Sequence, residues 1–429
     1  MEPTRFALRS LVNMTTSTAI RKNGSDLVYT TIQENPNPWT ENMFSSPMAD
    51  VPLDLISDII CRLPTKAILR FRRVSKIWKC LIDCSNFVNL HLKKSIESQT
   101  HFHLIIRKNS DLFTVNLDLF DPAVELIHPL MCYGSRINIW GSCNGILCIC
   151  NVAEDIALWN PSTRKHRILP SLPPDRRRDG VLRFSIESYG FGFDSVHDDF
   201  KLLKISQFIG LEDPMDFDSH VKVFSMRKFC WMPIESMRYI LRSSKMGVFV
   251  NNALHWVVSE NLGMELADLV VAFDLGTDRF EDIPLPELTD FKCEIHVDVF
   301  GGCLCLLANY DRVRFEVWVM KEYGVQESWM KLLTVSQVDF VGSIKSVKPL
   351  TYSKTGCKVL LLHNRRKLIW YDLDTQTVHD AVIDGLPHSF DAETLVESLI
   401  SVDAYRGTPV KIVEEERDDF LSEGFKLVL

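Results

Sequence analysis

His197, Asp198 and Asp199 stand together in "SVHDDFK", and an imidazole beside two carboxylates is standard equipment for moving a proton. The competing reading is a turn whose charges sit in water. Thiols come next. Cys148 and Cys150 in "GILCIC" share one face of a strand, as do Cys303 and Cys305 in "GGCLCLL". A metal centre needs C-x-x-C pairs or Cys/His sets at ligand spacing, and the sequence has none, so all four read as buried core. "YGFGFDS" holds a Gly-x-Gly, but it lacks the third glycine and precedes strands, which fits a close-packed turn and not a nucleotide loop. There is no Gly-x-Ser-x-Gly elbow and no Gly-rich loop leading into Lys-Ser/Thr. "PPDRRRDG" around Arg177 and "HNRRK" around Arg366 are short basic loops, read as solvated charge. No catalytic residue, metal or cofactor is expected.

Composition, with 46% apolar and 24% charged residues, is an ordinary globular balance. The net charge of −8 over 429 residues argues against nucleic acid as the main partner, because phosphate neutralisation needs a basic surface. No apolar run reaches the length of a membrane span. The twelve cysteines sit scattered in apolar stretches, and no apolar leader precedes them, so free thiols in a reducing compartment are expected. Cytoplasm and nucleus fit that expectation. Residues 1–47, rich in Ser, Thr and Asn, read as a disordered extension.

Two kinds of element must carry whatever the chain does. From Pro52, a suitable first helical residue, Leu53, Ile56, Ile60 and Leu63 recur at helical spacing, and Leu55 and Ile59 widen the stripe. Pro64 stops that helix. Thr65 is placed to cap a short second one, and a third carries Val74, Trp78, Leu81 and Ile82. Three short helices cannot hide apolar residues on nearly all sides among themselves. Either another chain covers them or they pack as a plain helical subdomain on the following region.

From residue 100 the pattern becomes short apolar runs punctuated by Gly, Asn, Asp and Ser, an all-β region of about 300 residues. Four hairpins set an aromatic residue seven positions before a bulky one, from Trp159, Phe224, Phe273 and Tyr371. In three of them a Thr follows an Asn or Asp by three, the signature of an Asx-turn. A fifth, Trp318 to Trp329, has a longer loop. Repetition at this period points to a β-propeller of about six blades, with strand material near 394–402 completing a blade begun near 100. A β-sandwich is the alternative.

The helical stretch resembles the F-box, the adaptor-binding module of Skp–cullin–F-box ubiquitin ligases. Val51, Pro52, Asp54, Leu55, Arg62, Leu63, Pro64, Leu69, Arg70, Arg72, Val74, Ser75, Lys76, Trp78, Leu81 and Ile82 carry the likeness, with Val51 replacing the usual Leu. The β-region, with "GSCNGILCICN", "LWNPSTRKHRILP", "YGFGFDSVHDDFKLLKI" and "GVFVNNALHWVV", resembles the F-box-associated interaction domain of plants. Its "VWVMKEYGVQESWMKL" and C-terminal "RDDFLSEGFKLVL" are similar to the constitutive expresser of pathogenesis-related genes type. The resemblance implies a mainly β chain: an extension over 1–47, a three-helix F-box over 48–95, a kelch-like propeller over 100–403 and a tail over 404–429. It implies a non-catalytic substrate receptor. An adaptor of the Skp type would bind Pro52, Leu55, Ile59, Leu63, Pro64, Leu69, Val74 and Trp78, bringing cullin and RING subunits. The propeller would hold a protein target for degradation, with plant defence, and an immune receptor as target, as the implied setting. A propeller enzyme or carbohydrate-binding module with an unrelated helical appendage is the other reading.

Overall fold

A computed structural model describes residues 53–131, 136–171, 175, 183–210, 217–260, 268–288, 293–337 and 344–405. The expected extension over 1–47, Pro52, the loop around Arg177 and residues 406–429 lie outside them.

Four helices open the described chain: α1 (Leu53–Ile60), α2 (Thr65–Phe71), α3 (Lys76–Asp83) and α4 (Ser85–Glu97). The resemblance implied three, and α4 is an addition. Ser75 explains why α3 starts where it does: its side chain accepts the Trp78 N–H at 3.2 Å, an N-cap bond. Cys84, in extended conformation, breaks α3 from α4, and its sulfur accepts the Phe87 N–H. Thr65 is not the cap expected for α2. It is the first helical residue, behind Pro64, and Glu397 supplies the acceptor: the Thr65 N–H donates to its Oε2 at 2.7 Å. Pro64 has no side-chain acceptor to offer, so the cap comes from 332 residues further along the chain.

Six antiparallel sheets follow, which excludes the sandwich. Blade 2 spans 138–168, blade 3 183–234, blade 4 240–283, blade 5 294–336 and blade 6 347–380. Blade 1 is shared by both ends of the domain. The strand Asp391–Val396 pairs with Phe102–Lys108, which continues to Asp111–Asn116 and Val124–Leu126. Closure in this way gives blade 1 its fourth strand and joins the two ends of the domain in one sheet. After residue 390 the described chain holds this strand and a short 3-10 turn, Val402–Tyr405.

The hairpin repeat sets the register. Trp159 faces His166, Phe224 faces Trp231, Phe273 faces Phe280 and Tyr371 faces Val378, each directly across the outer strand pair of its blade. The Asn160 Oδ1 accepts the Ser162 and Thr163 N–H groups, Asp274 that of Thr277, and Asp372 those of Asp374 and Thr375. In the third blade Ser225 takes that place, accepting from Lys228 N–H. The fifth hairpin differs. Trp329 faces Met320, and Trp318 faces Lys331, because the loop between them is longer.

Candidate functional site

The helices divide their apolar residues between two sides. Ile60, Cys61, Ile68, Ile82 and Phe87 form a filled core, and Leu399 from the segment after the closing strand belongs to it. Leu63, Leu69, Trp78 and Leu81 are half-buried against that core. On the other side Leu55 is 57% exposed, Ile59 63% and Val74 70%, with Pro64 also exposed. The residues marked by the resemblance therefore split. Leu55, Ile59, Pro64 and Val74 present surface, whereas Leu63, Leu69 and Trp78 support it from below. Phe71 and Ile77 are exposed too and were missed. The signal was available in part: Phe71 and Trp78 bracket Val74 in sequence, and in the structure their rings meet at a tilt, with centroids 5.3 Å apart. Exposed Lys66, Arg70, Lys76 and Lys79 lie on α2 and α3, and exposed Arg73 lies in the turn between them.

The helices are bolted to the propeller through residues 397–402. Burial works against the Glu397 carboxylate. Hydrogen bonding from His103, at 2.8 Å, and from the Thr65 N–H outweighs it and holds the group below its ordinary range. The His103 Nδ1 meets the Thr114 hydroxyl at 3.0 Å, and the His101 ring meets the Arg62 carbonyl at 3.1 Å. The buried Asn160 amide donates to the Ser398 and Ile400 carbonyls at 3.0 and 2.8 Å. Gly145 (φ +79°) has no room for a side chain, since a Cβ would stand 2.5 Å from that of Ser398. The helices thus sit on the propeller face that carries the first-to-second and third-to-fourth strand turns. In an up-and-down blade the remaining connections emerge at the opposite end, leaving that face clear of the helices.

The sequence-level chemistry resolves into structure. The His197 ring bonds Asp194, not Asp198, at 2.7 Å, and Asp194 is fully buried with the Lys201 ammonium at 3.1 Å. Asp198 pairs with Arg227 in solvent. Asp199 departs from the solvated-turn reading: it is buried and accepts the Ser225 hydroxyl and the Arg227 N–H, joining two turns of blade 3. Gly190 and Gly192 lie within the strand Arg183–Asp194 and not in a turn. A Cβ on either would meet Trp256 or Phe249 of blade 4 within 3 Å. Cys148, Cys150 and Cys305 are buried and Cys303 is partly exposed. Burial pushes the Cys150 thiol up to about 12 and holds Cys148 and Cys305 well above their ordinary value, so these sulfurs stay protonated. In the basic turn after His363, Arg365 is paired with Asp391.

Charged residues also gather on the inner strands. The Lys348 ammonium lies 2.7 Å from Glu393 and 3.6 Å from Asp298. Burial opposes its charge, and the two carboxylates override it and hold its pKa above the ordinary range. Burial, then Lys245, pushes the neighbouring His296 down to about 4. Opposite charges match here, as a structural ion network requires.

Comparison with known proteins agrees with this architecture. Residues 103–392 match the family model described as F-box associated beta propeller domain, and residues 48–90 match the F-box domain. F-box protein CPR1 of Arabidopsis thaliana is 37% identical over 89% of this chain and all of its own length. F-box protein At4g22390 of the same plant is 34% identical with the same coverage. Among solved structures, an oligogalacturonate lyase in complex with manganese aligns over 64% of this chain and 70% of its own, at 9% identity and a TM-score of 0.35, too low to bear on function. The filled helical core with an apolar outer face, the six-bladed propeller and these matches place the chain among the F-box proteins that carry an F-box associated beta propeller domain.

Proposed function

We propose that the chain is the substrate-recognition subunit of a Skp–cullin–F-box ubiquitin ligase. The observation that carries the reading is the outer face of the helices. Leu55, Ile59 and Val74 remain exposed although the core beneath them is already filled, and among the described residues nothing covers them, so the face suits a second chain. An adaptor of the Skp type is that chain, with Leu63, Leu69 and Trp78 fixing the helices from below. Cullin and RING subunits join through the adaptor.

The subunit does no bond chemistry in this scheme. It holds a protein target on the propeller face away from the helices, so that a target lysine meets ubiquitin-charged enzyme at high effective concentration. The bolted junction supports this, because a fixed helix-to-propeller geometry keeps that distance constant. The likeness to the constitutive expresser of pathogenesis-related genes type supports a negative regulator of plant defence, acting in cytoplasm and nucleus on an immune receptor.

The test is target half-life in plant cells expressing either the native chain or Leu55→Asp/Ile59→Asp. The native chain shortens it, and the variant, still able to hold the target, lengthens it. Equal shortening by both sinks the receptor mechanism.

A further inference from the structure

A cleft of about 790 Å³ separates the helices from blades 2 and 3. Four cations line it: Arg72, Arg73, Lys165 and Arg227. Asp83 matches Arg72 at 2.5 Å, and Asp198 matches Arg227. Arg73 and Lys165 are exposed and make no ion pair among the described residues; Lys165 donates only to the Ser401 hydroxyl, at 3.2 Å. The cleft therefore carries surplus positive charge in a chain whose net charge is −8. Leu69, Val88 and Ile400 give it an apolar wall.

Tyr405 also lines the cleft, edge-on to Phe200 at 5.1 Å. The chain leaves the described residues at this wall. The sequence that follows, "RGTPVKIVEEERDDFL", places Glu414, Glu415, Glu416, Asp418 and Asp419 within six positions, then Phe420 and Leu421. Nine Cα–Cα steps lead from Tyr405 to Glu414, a reach of up to about 30 Å, enough for any point in the cleft.

We propose that residues 414–421 dock in this cleft, their carboxylates against Arg73 and Lys165 and Phe420 and Leu421 against the apolar wall, as an intramolecular clamp between helices and propeller. The tether gives the segment a local concentration in the mM range, so modest intrinsic affinity suffices. Exposed charges carry part of it, so salt weakens it. The occupant follows from the exit point and the charge match, independently of what the outer helical face binds.

The test uses full-length chains and a fluorescent synthetic peptide of residues 411–422, read by anisotropy. A chain carrying Glu414→Lys, Glu415→Lys and Glu416→Lys loses its own clamp. It should bind the peptide at least about tenfold tighter than the native chain, whose cleft is occupied. Adding Arg73→Glu and Lys165→Glu should abolish that binding. Hydrogen exchange in the intact native chain should show residues 160–165 more protected than in the charge-reversed chain. Equal affinity for both chains, which would leave the cleft open to a partner in trans, overturns the proposal. So does no binding to the charge-reversed chain, or binding that survives Arg73→Glu/Lys165→Glu.

Discussion

Glu397→Ala should loosen the helices from the propeller while leaving both folded. The Glu397 carboxylate caps α2 through the Thr65 N–H and bonds the His103 ring, and its side chain is only 14% exposed. Thr65 is itself buried, so the variant strands a buried N–H at a helix start. A hydrogen bond to a charged acceptor contributes about 1.5–3 kcal/mol, and a carboxylate beside a helix N-terminus adds about 0.3–1 kcal/mol. The cost should fall near 2–4 kcal/mol and be felt at the junction. Hydrogen exchange reads it: amides of 65–71 and 397–402 should exchange roughly 30- to 1000-fold faster, with blades 4 and 5 unchanged. Glu397→Gln retains an acceptor and should recover part of the loss. The sign with pH follows from the depressed carboxyl. Its contribution is present above the ordinary glutamate value of 4.5 and is lost as pH falls through the lower folded value, so Glu397→Ala should lack that acid step. Unchanged protection of 65–71 in Glu397→Ala would refute the tertiary cap.

Two other outcomes follow. Burial pushes the His255 ring down to about 4, against its hydrogen bond to the Val248 carbonyl, so its neutral form stabilises the fold above pH 6.5 and that part is lost as pH falls through 4; denaturant unfolding at pH 7 and 4.5 should differ by about 2–3 kcal/mol from this residue, and less so in His255→Gln. A chain ending at residue 385 lacks the closing strand, so residues 102–108 should lose exchange protection as fully as blade 6 does; full protection there contradicts closure through Asp391–Val396.

What could be read from the sequence was local. The facing pairs Phe224–Trp231 and Phe273–Phe280 lie seven residues apart, and their Ser or Asp turn residues sit beside them, so pattern and register arrive together. Blade 1 has an equivalent turn, where Asn116 accepts from the Asp118 and Leu119 N–H groups, but Val115 stands in the aromatic place and the repeat is silent there. The Trp318–Trp329 segment was legible as a hairpin with a longer loop, but its register was not, since the facing partner of Trp329 is Met320. The α2 cap was out of reach, since its donor and acceptor are 332 positions apart. The outer helical face was partly legible. Spacing shows which residues are apolar but not which of two faces they take, and burial alone separates exposed Leu55 and Ile59 from supporting Leu63 and Leu69.

The central claim is that the exposed face of the helices is a docking surface for a Skp-type adaptor. Calorimetric titration of purified adaptor into the full-length chain tests it most directly. Covering Leu55, Ile59, Phe71, Val74 and Ile77, each a partly exposed anchor contributing about 1–2 kcal/mol, gives roughly 5–10 kcal/mol, a Kd between roughly 0.2 mM and 50 nM. The Leu55→Asp/Ile59→Asp chain, with an unchanged unfolding midpoint, should bind at least about 100-fold more weakly. No binding by the native chain, or equal affinity for both chains, would contradict the account.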